Sequence, residues 1–297
     1  MLRIGLFLLT NLAVVAVASI TLQLLGVQHY LQGSELNLTS LLIFCAIFGF
    51  AGSLISLIIS KWMAKRSTGV KIITQATTDD EHWLIATTRE LAQKAGIGMP
   101  EVGIFPALES NAFATGWNRN SALVAVSEGL LKRFKRDEVR AVLAHEIGHV
   151  ANGDMITLSL IQGVVNTFVM FFARIIGHTV DRLIFKNERG HGIGFYIATF
   201  VAEMILGVLA SIIVMRFSRF REYRADIAGA TLADRNSMIN ALKRLNSEQM
   251  AQVPSSMPDT MLAFGISSGF SKRSLGRLFS SHPPLEDRIR ALQNNNS

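Results

Sequence analysis

Hydrophobic positions along this chain are arranged in two ways. Some stretches are almost continuously apolar, while others place apolar residues at helix or strand spacing among charges. Four continuous stretches, 4–25, 38–60, 155–176 and 193–215, are long enough to cross a bilayer, which takes about 20 residues of helix. The first two carry no charged side chain. The third holds Gln162, Asn166 and Arg174, and the fourth holds Glu203, so these two either cross or lie partly against the first pair. A carboxyl group inside hydrocarbon is costly, so Glu203 is expected to face protein or water, with Asn166 or Arg174 as partner. Ala16-Val17-Ala18 resembles a signal-peptide cleavage site, but the apolar run continues to Leu25, which favours a retained anchor.

The remaining segments read as an ordinary polar domain. Residues 77–95 suit a helix that stops at Gly96-Ile97-Gly98-Met99-Pro100. Short strands are predicted over 102–105, 112–115 and 122–126, with Gly116-Trp117-Asn118-Arg119-Asn120 as the turn between the last two. Ser127 is placed to cap a short helix over 128–134, and a helix over 137–151 follows with Asp137 as its N-cap. Residues 221–245 are helical in pattern, and 251–281, rich in Ser, Gly and Met, read as loop or short helices. Pro283-Pro284 opens a last helix over 285–292. The fold class expected is an α+β membrane protein, mainly α, with about four transmembrane helices and a polar domain containing a small β-sheet. Its parts are 1–60 and 155–215 in the membrane, and 61–154 and 216–297 outside it.

Composition agrees with that division. Hydrophobic residues make up 49% and charged residues only 17%, below the quarter typical of soluble domains. Cys45 is the single cysteine, so no internal disulfide and no cysteine-rich zinc site can form. The net charge of +7 sits beside apolar segments, which argues for membrane orientation and against nucleic acid. The segment 26–37 has no Lys or Arg, whereas Lys61, Lys65, Arg66 and Lys71 follow the second stretch and Arg216, Arg219, Arg221 and Arg224 follow the fourth. The positive-inside rule puts both polar segments in the cytoplasm. Arg182, Lys186 and Arg189, in the loop between the third and fourth stretches, run against it.

The chemistry is concentrated in His145-Glu146-Ile147-Gly148-His149. Residues four apart share a helical face, so His145 and His149 can direct two imidazoles at one metal ion. Glu146, one step round, is placed to take a proton from water beside that ion. The alternative is a solvated helix with two ordinary histidines. Val139, Leu143, Ile147 and Val150 form a separate apolar stripe, leaving the histidines and Glu146 on an adjoining face. Gly148 is off that stripe and is expected to leave room for metal or substrate to approach the backbone.

A catalytic zinc takes three protein ligands. Met155 occupies the position where the metzincin spacing would need a third histidine, which excludes that class. His82, His178, His191, His282, Asp154, Glu203 and Glu222 remain. His178 and His191 fall in the loop expected across the membrane, and Asp154 reads as a helix-end or interfacial residue. Glu222 stands out: the third stretch begins six residues after His149 and the fourth ends seven residues before Glu222. An antiparallel hairpin would return the chain to the face it left, each offset being about 10 Å of helix. Asp226, four residues on, shares the Glu222 face and could accept the N–H of a zinc histidine. The competing reading pairs both carboxylates with neighbouring arginines.

His145-Glu146-x-x-His149, Glu222-x-x-x-Asp226 and His282-Pro283-Pro284-Leu285-x-x-Arg288 together closely resemble the membrane gluzincin family of the type I CAAX prenyl proteases. The likeness covers essentially the whole chain. It implies a gluzincin-type zinc protease domain with one zinc ion (Zn2+) per chain, held by His145, His149 and Glu222. It also implies Glu146 as general base and Asp226 behind the ligands. The likeness further implies a multi-pass bacterial inner-membrane endopeptidase, with the catalytic side cytoplasmic, that degrades damaged or misassembled membrane proteins in cooperation with other membrane proteases. Asn111-Ala112-Phe113-Ala114 resembles the family's strand beside the cleft, where substrate could add as a further strand. His282 or Arg288 is expected to stabilise the oxyanion. Rival readings are a prenyl-peptide processing enzyme and a non-catalytic scaffold stabilised by zinc.

Overall fold

Three long helices dominate the described residues because their apolar runs contain no residue that stops them. A computed structural model describes residues 37–187, 190–250 and 282–294. The stretch 4–25 and the segment 251–281 lie outside those residues. In chain order the elements are α1 (Leu38–Thr68), β1 (Lys71–Ile72), α2 (Asp79–Lys94), β2 (Glu101–Phe105), β3 (Ala112–Thr115), β4 (Leu123–Ser127), α3 (Glu128–Arg133), α4 (Arg136–Asn152), α5 (Asp154–Leu183), α6 (Ile193–Leu232), α7 (Arg235–Met250) and α8 (Leu285–Asn294). The fold is mainly helical with one small mixed sheet. Helices α1, α5 and α6 are each long and apolar enough to cross a membrane.

All three of these helices outrun the stretches predicted from hydropathy, α1 by reaching Thr68. Helix α5 starts one residue after the end of α4, with no separate linker. Helix α6 is continuous for 40 residues, about 60 Å, and carries Glu222 and Asp226 beyond its apolar part. The predicted helix over 221–245 is in fact the end of α6 and the start of α7. The break falls at Ala233-Asp234, where the Asp234 carboxylate accepts the Ser237 N–H at 2.8 Å and starts the new helix.

Contacts divide the chain into two units, 1–55 with 159–213, and 56–158 with 214–297. In the first, glycine lets helices approach closely. A Cβ on Gly163 would lie 2.6 Å from the Phe50 ring, and one on Gly49 would lie 2.7 Å from Thr167 Oγ1. Ser159 donates to the Ser53 carbonyl at 2.8 Å. Glu203 finds its partner in Arg174, at 3.4 Å, while Asn166 instead accepts from Gln162 at 2.8 Å.

The second unit is built on a four-stranded sheet of order β1-β2-β4-β3. Strands β2 and β4 run parallel, with Val102 opposite Val124, and β3 pairs antiparallel with β4 along one edge. The predicted strands are present. The two-residue β1, which pairs antiparallel with β2, was too short to carry a pattern. Two lysines that follow the second apolar stretch, Lys61 and Lys65, both pair with Glu101, at 3.0 and 2.6 Å.

Helix starts follow their side chains. Thr78 and Glu81 form a reciprocal capping box before α2. Ser127 Oγ accepts the Leu130 N–H at 3.0 Å and donates to the Glu109 carbonyl at 2.7 Å, joining the start of α3 to the loop before β3. Helix α4 starts one residue earlier than predicted. Asp137 is inside its first turn, and the chain is held by Glu138, which accepts the Lys135 N–H at 2.9 Å.

The loop before β3 packs so closely on α3 that a Cβ on Gly129 would lie 2.1 Å from the Leu108 carbonyl oxygen. Gly129→Ala is therefore expected to destabilise the protein by about 1–3 kcal/mol. Thermal unfolding in detergent should show a lower midpoint than wild type, and an unchanged midpoint would contradict this packing.

Candidate metal centre

Helix α4 is buried along most of its length: Ala141 to Ile147 are all nearly inaccessible to solvent. It ends at Gly153, whose φ of 67° and ψ of 33° are left-handed, and the Gly153 N–H returns to the His149 and Val150 carbonyls. Helix α6 crosses the face that carries the histidines. A Cβ on Gly148 would lie 2.6 Å from the Ala228 Cβ, so this glycine admits α6 rather than a ligand. On the opposite side of the contact, a Cβ on Gly229 would lie 3.4 Å from the Ala141 carbonyl oxygen. Small residues on both helices bring Glu222 within reach of the two imidazoles.

His145 Nε2 lies 3.7 Å from Glu222 Oε2, and His149 Nε2 lies 3.3 Å from Glu222 Oε1. The imidazoles meet edge to face with ring centroids 4.7 Å apart. One ligand atom from each of His145, His149 and Glu222 lies within 4.8 Å of the others. The remaining ring nitrogens turn away, each onto a carboxylate. His145 Nδ1 is 3.0 Å from Asp226 Oδ1, and His149 Nδ1 is 2.7 Å from Asp154 Oδ2. Each carboxylate favours a proton on Nδ1, which leaves the Nε2 lone pair aimed at Glu222. His145 Nε2 is buried and has no hydrogen-bond partner among the described residues. Two imidazole lone pairs and a carboxylate around such an atom fit a divalent metal ion.

Asp226 is held in turn. Arg288 Nε donates to its Oδ2 at 2.8 Å and Nη2 to its Oδ1 at 2.6 Å, while Nη1 stands 3.3 Å from Glu222 Oε2. Arg288 is completely buried, so this fork-to-carboxylate pair is shielded from water. His282 Nδ1 is 2.6 Å from Glu222 Oε2. Thus His145, Glu146, His149, Glu222, Asp226, His282 and Arg288 come together. Asn111 is instead at the entry to β3. Its N–H donates to Ser127 Oγ at 3.0 Å, and its Oδ1 accepts the Ala112 N–H at 2.9 Å.

Asp154 was passed over as a helix-end residue. It is both that and the acceptor for His149. An acid placed directly after a glycine helix stop was the available signal.

Electrostatics in the pocket follow from these partners. Burial alone would strip the proton from His149, but the Asp154 and Glu222 carboxylates outweigh it and push its pKa up to about 10. Burial acts on His145 in the same way, and Asp226 and Glu222 reverse it, so its pKa is also raised. Glu146 is raised above the usual carboxylate range by burial, against the pull of His145 and His149.

Comparison with known proteins gives an independent result. The model of Peptidase family M48 matches residues 78–296. Protease HtpX of Cellvibrio japonicus (strain Ueda107) is 69% identical over 293 residues, covering 99% of this chain and 98% of that protein. Protease HtpX of Hahella chejuensis (strain KCTC 2396) is 67% identical over 295 residues, covering 99% of this chain and 100% of that protein. The crystal structure of S. mikatae Ste24p matches with a TM-score of 0.64 at 17% identity. It covers 96% of this chain and 66% of that one, which shows a common fold.

Because the surrounding carboxylates raise the proton affinity of both imidazoles, and a nitrogen must be free of its proton to take a metal ion, uptake of a divalent ion near pH 7 should release protons. Calorimetric titration in buffers of different ionisation enthalpy should give at least one proton per ion. An enthalpy independent of buffer would contradict the protonated pocket.

Proposed function

The chain belongs to peptidase family M48 and is a membrane-bound metalloprotease; from that premise we propose that His145, His149 and Glu222 hold one zinc ion and that Glu146 is the general base. The observation that carries the proposal is the opposed orientation of the two imidazoles. Their Nε2 atoms converge on Glu222, while their Nδ1 atoms rest on Asp226 and Asp154. Three protein ligands suit a catalytic zinc, which keeps one position open, whereas a structural zinc is normally closed by four. That distinction disfavours the scaffold reading.

Zinc bound there would supply the Lewis acidity that polarises a scissile carbonyl and acidifies water. Glu146 takes the proton from the attacking water and delivers it to the leaving amine. Its burial raises its affinity for a proton, which suits a group that must hold one between two steps. Asp226 fixes the tautomer and orientation of His145, and Arg288 anchors Asp226. With its guanidinium committed to Asp226 and Glu222, Arg288 is a poor candidate for the oxyanion. We assign that role to His282, whose Nδ1 lies 2.6 Å from Glu222 Oε2, which sets the ring beside the metal ligands without the two-bond tie to Asp226 that holds Arg288.

Substrate recognition is assigned to the sheet edge. Strand β3 is the last strand on its side of the sheet, and α4 packs against it, so an extended peptide added along β3 would run beside the reacting groups. Asn111 lies at the entry to that edge. The membrane parts are 1–60 and 155–215, and the protease parts are 61–154 and 216–297. The distribution of lysine and arginine supports a cytoplasmic catalytic side, and the likeness to the bacterial HtpX proteases supports placement in a bacterial inner membrane. The substrates proposed are unfolded or misassembled membrane proteins, cleared alongside other membrane proteases.

Two variants test the mechanism. Glu146→Gln should keep a full equivalent of zinc and lose cleavage of an unfolded membrane substrate by a factor on the order of 10³ or more. Glu222→Ala should lose both. Wild-type cleavage by the Glu146 variant at matched zinc content would refute the assignment.

A further inference from the structure

The two histidines are supported unequally. His145 leans on Asp226, whose charge is spent on two hydrogen bonds from Arg288. His149 leans on Asp154, and among the described residues no lysine or arginine pairs with Asp154. The Asp154 contact is the shorter, 2.7 against 3.0 Å, and Asp154 is buried. Its position depends on an abrupt corner. Gly153 closes α4 in a left-handed conformation, and its carbonyl then accepts the Thr157 N–H at 3.1 Å to open α5. The chain thereby folds back within a single residue, so the first side chain of α5 reaches the last turn of α4. At the start of α5 the helix dipole also favours a negative charge.

We propose that Asp154 is the positioning residue for His149: it holds the Nδ1–H, points Nε2 at the metal, and makes His149 the more electron-rich of the two imidazole ligands. This rests on the zinc reading of the site. The Gly153 corner, in this account, serves to deliver the Asp154 carboxylate. Asp154→Asn keeps an acceptor but removes the charge, whereas Asp154→Ala removes both. Partners of this kind usually change metal affinity by about 10–100-fold. The expected result is a zinc dissociation constant raised roughly 10-fold by Asn and towards 100-fold by Ala. Gly153→Ala, which strains the corner with Asp154 intact, should fall between wild type and Ala.

The experiment is chelator competition for zinc on the full-length protein in detergent, with ¹⁵N–¹H spectra of the histidine rings. Wild-type zinc-loaded protein should show His149 protonated at Nδ1 and coordinated through Nε2. Zinc affinity within twofold of wild type in both Asp154 variants would overturn the proposal, as would a wild-type His149 coordinated through Nδ1. The spectrum decides the matter even if the variants fail to fold. A wild-type protein that takes up no zinc would refute the metal site itself, a separate outcome.

Discussion

Burying several carboxylates side by side is the constraint on which this structure turns. Glu222 and Asp226 are 2% and 1% exposed, and both sit in the interior with Glu146 and Asp154 close by. Unpaired charges in such a place cost several kcal/mol each, and removing one partner of a buried pair typically costs about 3–5 kcal/mol. Arg288 answers part of that cost through its two bonds to Asp226 and its approach to Glu222. The chain must therefore bring Arg288 of α8, which packs on α7, to Asp226 of α6, and Pro283-Pro284 starts that helix at the required point. The imidazoles of His145 and His149, each set against a carboxylate, answer the rest.

The same balance explains why the pocket suits a dication. A dication together with Arg288 would match the charges of Asp154, Glu222 and Asp226. A dication bound there would keep the interior supplied with positive charge. Close helix approach makes this possible: Gly148 against Ala228 and Gly229 against Ala141 replace side-chain volume with reach. The site is set by packing as much as by its ligands.

Much of this was legible in the sequence because its periodicities are local. Four-residue spacing placed His145 with His149, and Glu222 with Asp226, on shared faces, and the continuous α6 carries that second pair straight out of its apolar run. Thr78, Ser127 and Pro283-Pro284 announced their helices through chemistry confined to a few residues. What escaped was non-local or two-sided. Gly148 looked like room for a ligand because its neighbour, Ala228, is 80 residues away. Asp154 looked like a helix end because it is one, and nothing local shows that the Gly153 corner turns it back onto His149. The role of Arg288 depends on where α8 docks, which no spacing records. Strand β1 owes its existence to β2 alone.

The central claim is that a zinc ion is held by two imidazole nitrogens and one carboxylate, with a position left open. X-ray absorption at the zinc edge of the purified full-length protein tests it most directly. The account predicts one zinc per chain with two imidazole shells at about 2.0–2.1 Å and oxygen ligands at about 2.0–2.2 Å. A shell of three or four imidazoles, or no stoichiometric zinc, would contradict it.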